Sequence, residues 1–213
     1  DGLCAEGLGL SRSQLTMGTL LQGRAASSSA EHWPEFAPRS LGDAPALREL
    51  LLRPLRQSDG PSGEGGECGY VSLLAQLSHA PPLEPATFAA QLAAGSGGAK
   101  ITAVVERREN GALVGCGTVL RDCHVTDETP YDVALIEDVV VDASMRGTGL
   151  GGALVNALLD IAAFAGARKA VLNCKESTVG FYRRCGLAST GEVNLAVYFG
   201  DAQRSSAGDR DDS

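Results

Sequence analysis

No apolar run in the 213 residues approaches the ~18 that a membrane-crossing helix needs, so no segment is expected to span a bilayer. Blocks of consecutive basic residues are absent as well. Lys and Arg total 18 against 26 Asp and Glu, a net charge of -8. That balance argues against nucleic acid and anionic membrane surfaces as partners. Histidine is scarce, with three in the chain, and none of the six cysteines forms a Cys-x-x-Cys pair. A structural zinc site is therefore not expected, and no metal is assigned. The cysteines are Cys4, Cys68, Cys116, Cys123, Cys174 and Cys185. Their even number permits a disulfide framework, but a chain of this length can bury a core without one. Reduced thiols and a cytoplasmic location are the expectation. Internal repeats are absent too.

What is present divides the chain in three. Residues 1–45 are rich in Gly, Ser, Ala and Pro without sustained periodicity, and are expected to be a disordered extension. Within them SRSQLTMGTLLQGRAASSSA has the Ser/Arg-rich character of a transit peptide, which keeps an organellar address open. Residues 200–213 are expected to be a disordered tail. Residues 46–199 carry the pattern of one mixed α/β domain. Strands are expected at Glu49–Leu55 (an edge strand), Ile101–Glu106, Leu113–Leu120, Ala134–Val141, Lys169–Cys174 and Glu192–Phe199. Asn110-Gly111 marks a hairpin between the second and third of these. Helical spacing covers Tyr70–Ser78, Pro85–Ala94, residues 149–165 and Ser177–Cys185. The third helix sets Leu150, Leu154, Leu158 and Ile161 on one face.

The segment RGTGLGGALV, Arg146–Val155, lies between an apolar strand and this third helix. Glycines before a helix N-terminus leave backbone N–H groups free for an anion, with the helix dipole behind them. A nucleotide-triphosphate loop would need Lys-Ser or Lys-Thr after its last glycine, and neither follows. Gly147, Gly149 and Gly152 satisfy the dinucleotide pattern G-x-G-x-x-G. That fold closes its turn directly off the strand, whereas here Asp142–Arg146 intervene. Arg146, Gly149 and Gly151 also spell R-x-x-G-x-G, the spacing of an acetyl-CoA loop. A glycine-rich turn holding no ligand is the plain alternative.

IEDVVVDASMRGTGLGGALV and LNCKESTVGFYRRCGL together resemble the GNAT acetyltransferase superfamily, in its glucosamine 6-phosphate N-acetyltransferase branch. The resemblance runs over roughly residues 49–199. It implies a GNAT acyltransferase fold, a mixed and mostly antiparallel sheet with a central β-α-β unit that binds acetyl-CoA. It further implies acetyl transfer from this co-substrate to the amine of an aminosugar phosphate on the route to UDP-N-acetylglucosamine, and a homodimer. The coenzyme would be held by Val139, Val141, Arg146, Gly147, Thr148, Gly149, Leu150, Gly151 and Thr178. Glu137, Asp138, Ser78 and His124 would face the aminosugar. The main-chain carbonyl of Asn173 would accept a hydrogen bond from the attacking amine, Glu137 would help that amine lose its proton through water, and Tyr182 would serve the departing thiolate. The family's pattern has Asn where Thr178 stands and an acidic residue where Asn173 stands. Its basic-aromatic loop reads His124–Asp127 here, and an expected arginine reads Val197-Tyr198. Arg121, His124, Arg183 and Arg184 are the cations available for a sugar phosphate. Rival functions are a GNAT enzyme for another small amine or a protein amine, and a domain that binds acetyl-CoA without catalysis.

Overall fold

In the computed structural model the chain is described over residues 37–61, 69–77, 83–95, 99–124 and 131–192. The elements in order are β1 (Arg39–Ser40), α1 (Pro45–Arg48), β2 (Leu50–Pro54), α2 (Gly69–Leu74), α3 (Pro85–Gly95), β3 (Lys100–Arg107), β4 (Leu113–His124), β5 (Tyr131–Val141), α4 (Leu150–Phe164), β6 (Lys169–Val171) and α5 (Val179–Arg184). The six strands form one sheet in chain order. Neighbours pair antiparallel except β5 and β6, which run parallel with α4 as their crossover.

Alternation along the strands feeds both faces of this sheet. Ala103 and Val105 of β3 pack on one side with Leu150, Leu154, Leu158 and Ile161 of α4. Val104, between them, joins Tyr70 and Leu73 of α2 and Phe88 of α3 on the other. All of these are buried, and each large side chain contributes about 2 kcal/mol by leaving water. Gly117 of β4 makes the α4 contact possible: a Cβ there would lie 2.5 Å from a Leu158 methyl. On the opposite face Gly60 lies under the Phe88 ring, where a Cβ would meet Cδ1 at 2.2 Å. That approach is fixed by buried Arg53, whose guanidinium donates two 2.7 Å hydrogen bonds to Asp59 in the turn before Gly60.

The structure shifts several expected boundaries. Glu49–Leu55 was expected at an edge, but β2 lies inside the sheet, between β3 and the short β1. Leu41 packs on the core and Arg39 donates to the Ala157 carbonyl at 3.3 Å, so the fold reaches into the stretch assigned to the extension. Composition hides this, because two paired residues carry no periodicity. The ladder of β6 ends at Val171, three residues short of Cys174. The helix expected over Tyr70–Ser78 ends at Leu74 and continues as turns to Leu77. Residues 177–178 belong to a 3₁₀ turn ahead of α5. Ser78, and the closing strand from residue 193 onward, lie outside the described residues.

Candidate active site

A bulge between β4 and β5 shapes the site. Thr118 pairs with Glu137 and Cys116 with Val140, which leaves Asp138 and Val139 opposite Gly117 alone. Asp138 takes a positive φ of 53°, a conformation that Asp tolerates better than most residues. Its carbonyl accepts from the buried Cys116 thiol at 3.5 Å. Burial first, and the nearby Asp138 charge second, push that thiol up to about 12, so it stays protonated. Bulges bend a strand and redirect side chains. Here the bend falls where β5 leaves β6: pairing stops at Leu135 with Val171. Among the described residues, no strand pairs with the β6-side edge of β5 from Ile136 to Val141. Val139 and Val141, both half-buried, lie on this segment.

The glycine loop closes one end of that opening. The Asp142 carboxylate accepts from the Ser144 N–H at 2.9 Å and holds a single 3₁₀ turn, Ala143–Met145. Met145 is buried beneath it, whereas Arg146 and Gly147 are exposed. Arg146 Nε donates to the Val141 carbonyl at 3.4 Å, and the Thr148 hydroxyl donates to the Met145 carbonyl at 2.7 Å. Gly147 and Gly149 sit at φ of 81° and 89°, which glycine adopts without strain. Gly149 is the N-cap of α4, and no side chain caps the helix. Its first turn carries no acidic residue. The leading N–H groups of Leu150, Gly151 and Gly152 therefore retain their donor capacity. Among the described residues, nothing lies within 4 Å of where a Cβ would project from Gly147, Gly149 or Gly152. Open space, free donors and the positive end of a 15-residue helix suit a pyrophosphate. Gly151 differs: a Cβ there would be 3.3 Å from Phe181 Cζ, so its smallness admits α5.

Helix α5, which carries Tyr182, packs against the start of α4. Phe181 seats the helix against Gly151, and the Tyr182 ring stands edge-on to it at 4.9 Å. Burial raises the Tyr182 hydroxyl above its ordinary value, with the Cys174 and Cys185 thiols adding to the shift. The hydroxyl therefore holds its proton at neutral pH. Asn173 follows β6 as exposed chain, and Thr178 is exposed with its hydroxyl donating to the Lys175 carbonyl at 2.8 Å. Glu137 is exposed at the bulge and Asp138 half-buried. The bulge sets these two carboxylates, in place of the strict strand alternation expected from sequence.

His124 falls elsewhere. It ends β4, seven residues beyond Gly117, roughly 23 Å along the strand. Its ring stacks on Tyr131 at 5.4 Å, and Nε2 lies 3.1 Å from Asp122. Arg121, another candidate cation, is paired with Asp132 at 2.9 Å. The carboxylate partners of these two cations are Asp122 and Asp132, not Glu137 or Asp138. Gly117, inside a strand pattern, is the sequence signal that falls at the bulge.

Residues 72–187 match the model of the Acetyltransferase (GNAT) family, and the chain belongs to that family. It is 35% identical over 160 residues to glucosamine 6-phosphate N-acetyltransferase 1 of Oryza sativa subsp. japonica, covering 74% of this chain and 90% of that protein. A Trypanosoma brucei acetyltransferase structure superposes with a TM-score of 0.63 at 31% identity, over 70% of this chain and 99% of its own. The glucosamine-6-phosphate N-acetyltransferase structure from Arabidopsis thaliana gives 0.63 at 26% identity, over 71% and 99%. The fold is that of the GNAT acetyltransferases, whose acyl donor is acetyl-CoA.

Proposed function

We propose that this protein transfers the acetyl group of acetyl-CoA to the amine of glucosamine 6-phosphate, giving N-acetylglucosamine 6-phosphate. The carrying observation is the unpaired edge of β5, with an uncapped helix N-terminus at one end and α5, the helix of Tyr182, packed against Gly151 there through Phe181. The Oryza and Arabidopsis relatives bear the name of this activity.

The loop Arg146–Gly151 takes the pyrophosphate, with Arg146 supplying a cation and the α4 amides supplying donors. Main-chain groups of Val139 and Val141 align the pantetheine as an added strand, and Thr178 borders it. A thioester is already activated, so the protein's main task is to hold a neutral amine in line with the carbonyl. Glu137, exposed at the bulge, accepts the amine's proton through water. The Asn173 carbonyl accepts a hydrogen bond from the amine and orients its lone pair. The amine nitrogen bonds to the acyl carbon, the carbon–sulfur bond breaks, and Tyr182 donates its proton to the leaving thiolate. Asp138 and Ser78 contact the sugar. The protein works as a homodimer, supplies UDP-N-acetylglucosamine synthesis, and acts in the cytoplasm. In the dimer, His124 serves the phosphate from outside its own chain's opening.

A second reading, acetylation of another small amine, draws on the charges present. Glu137 and Asp138 head the opening, while His124 and Arg121 are turned to Asp122 and Asp132. That set suits a cationic amine more directly than a phosphate. Thiol release from acetyl-CoA, measured with glucosamine 6-phosphate, glucosamine and a peptide amine, separates the readings. The highest kcat/KM is expected with glucosamine 6-phosphate. An equal or higher value with unphosphorylated glucosamine, or with the peptide, would overturn the sugar phosphate as substrate.

A further inference from the structure

Helix α2 and the glycine loop lie on separate parts of the chain, 66 residues apart at their point of contact. Buried Leu73 anchors α2 to the sheet. The chain then continues in turns, with the Gln76 N–H on the Leu73 carbonyl at 3.1 Å and the Leu77 N–H on the Leu74 carbonyl at 2.9 Å. These turns place the Gln76 side chain against the start of the loop. Its Nε2 donates to Asp142 Oδ2 at 2.7 Å, and its Oε1 accepts from the Ala143 N–H at 3.0 Å. A backbone N–H only donates and a carboxylate only accepts, so the partners dictate which way the amide faces.

The other oxygen of Asp142 accepts from the Ser144 N–H and hydroxyl. From there short-range bonds follow one another along the loop. The Met145 N–H donates to the Asp142 carbonyl at 2.9 Å, Arg146 to Ala143 at 3.3 Å, and Thr148 to Met145 at 3.4 Å. The series stops one residue before Gly149, the N-cap of α4. We propose that Gln76 is a positioning residue for the coenzyme loop. It clamps Asp142 and Ala143 and so holds the turn that presents Arg146 and the α4 amides to the pyrophosphate. The proposal rests on the acetyl-CoA assignment above.

Gln76 and Asp142 bond at the surface, so water replaces a lost partner at small cost to folding. Loop order, and with it coenzyme affinity, should respond more than melting temperature. Two substitutions of near-constant volume isolate the clamp. In Gln76→Glu one carboxylate oxygen still accepts from Ala143, but the other faces Asp142 oxygen to oxygen. In Asp142→Asn the new amide faces that of Gln76, donor to donor, and turning either group loses Ala143 or Ser144. With both changes, the carboxylate introduced by Gln76→Glu accepts from Ala143 and from the amide introduced by Asp142→Asn. All the bonds then re-form with donor and acceptor exchanged.

Calorimetric titration with acetyl-CoA reads the outcome. Gln76→Glu should weaken binding about tenfold and Asp142→Asn about threefold, and the double variant should return within about twofold of wild type. In thiol release, Gln76→Glu should raise KM for acetyl-CoA while kcat at saturation stays within about twofold. Wild-type affinity in Gln76→Glu, or a double variant as weak as Gln76→Glu, overturns the clamp. The titration needs no sugar, so failure with glucosamine 6-phosphate would count against the proposed substrate and leave this result standing.

Discussion

At the scale of single residues the sharpest question is the Tyr182 hydroxyl. Its ring is held edge-on by Phe181, and burial keeps its proton on above the ordinary tyrosine value. Tyr182→Phe keeps the ring and removes the proton source. Turnover should fall ~10²-fold, in the lower range for general acid work, with acetyl-CoA affinity little changed. Because the shift favours the protonated form, the limb of a pH–rate profile owed to Tyr182 should fall only above the ordinary tyrosine range. A kcat within threefold of wild type would assign the residue to packing alone. Tyr182 was legible in sequence because Gly180-Phe181-Tyr182 follows the β6 segment at a recognisable interval. Glu137 and Asp138 were only half legible. Strand periodicity sends adjacent side chains to opposite faces, and nothing local to IEDVVV announces that the backbone turns to positive φ at Asp138. The turn lies opposite Gly117, 21 residues earlier, where Leu158 leaves no room for a side chain.

At the scale of elements, two neighbouring glycines at the α4 N-terminus, Gly149 and Gly151, do different work. Gly149 adopts a left-handed conformation facing open space, so Gly149→Asp sets a carboxylate where the pyrophosphate approaches, and adds about 1 kcal/mol of strain. Acetyl-CoA affinity should fall at least tenfold, roughly 1.4 kcal/mol. Gly151→Ala instead presses on Phe181 from 3.3 Å. Its effect should travel through α5 to Tyr182 and appear in kcat more than in affinity. Calorimetry and steady-state kinetics on the two variants separate these roles, and matching profiles would refute the division. The amphipathic spacing of α4 was readable because every expected face residue, Leu150, Leu154, Leu158 and Ile161, is buried. Sequence treated the glycines as one anion loop. The distinction between them comes from a helix thirty residues downstream that no local pattern names.

For the whole molecule, the order of the sheet among the described residues separates its ends: β1 lies at one, whereas the proposed site opens between β5 and β6 at the other. Sequence places residues 1–45 outside the domain because β1 is two residues long and carries no periodicity. Yet Arg39 and Ser40 pair with Leu52 and Leu51, Leu41 packs on the core, and Arg39 reaches Asp160 of α4 at 3.4 Å. Stability and activity should therefore part company when the N-terminus is shortened. A chain beginning at Ala37 keeps all of these contacts, and one beginning at Ala46 loses them. The lost apolar burial and partly exposed bonds together amount to about 1–2 kcal/mol. For a domain of this size that lowers the melting temperature by roughly 3–8 °C. At 25 °C both shortened chains should keep most of the kcat of the full chain, since neither cut reaches the β5 edge, the glycine loop or α5. Thermal melts and thiol-release kinetics on the pair decide the matter. Equal melting temperatures would show that β1 contributes nothing to the fold. A large fall in kcat for the Ala46 chain, measured well below its melting temperature, would mean that the first edge of the sheet acts on the site at the last.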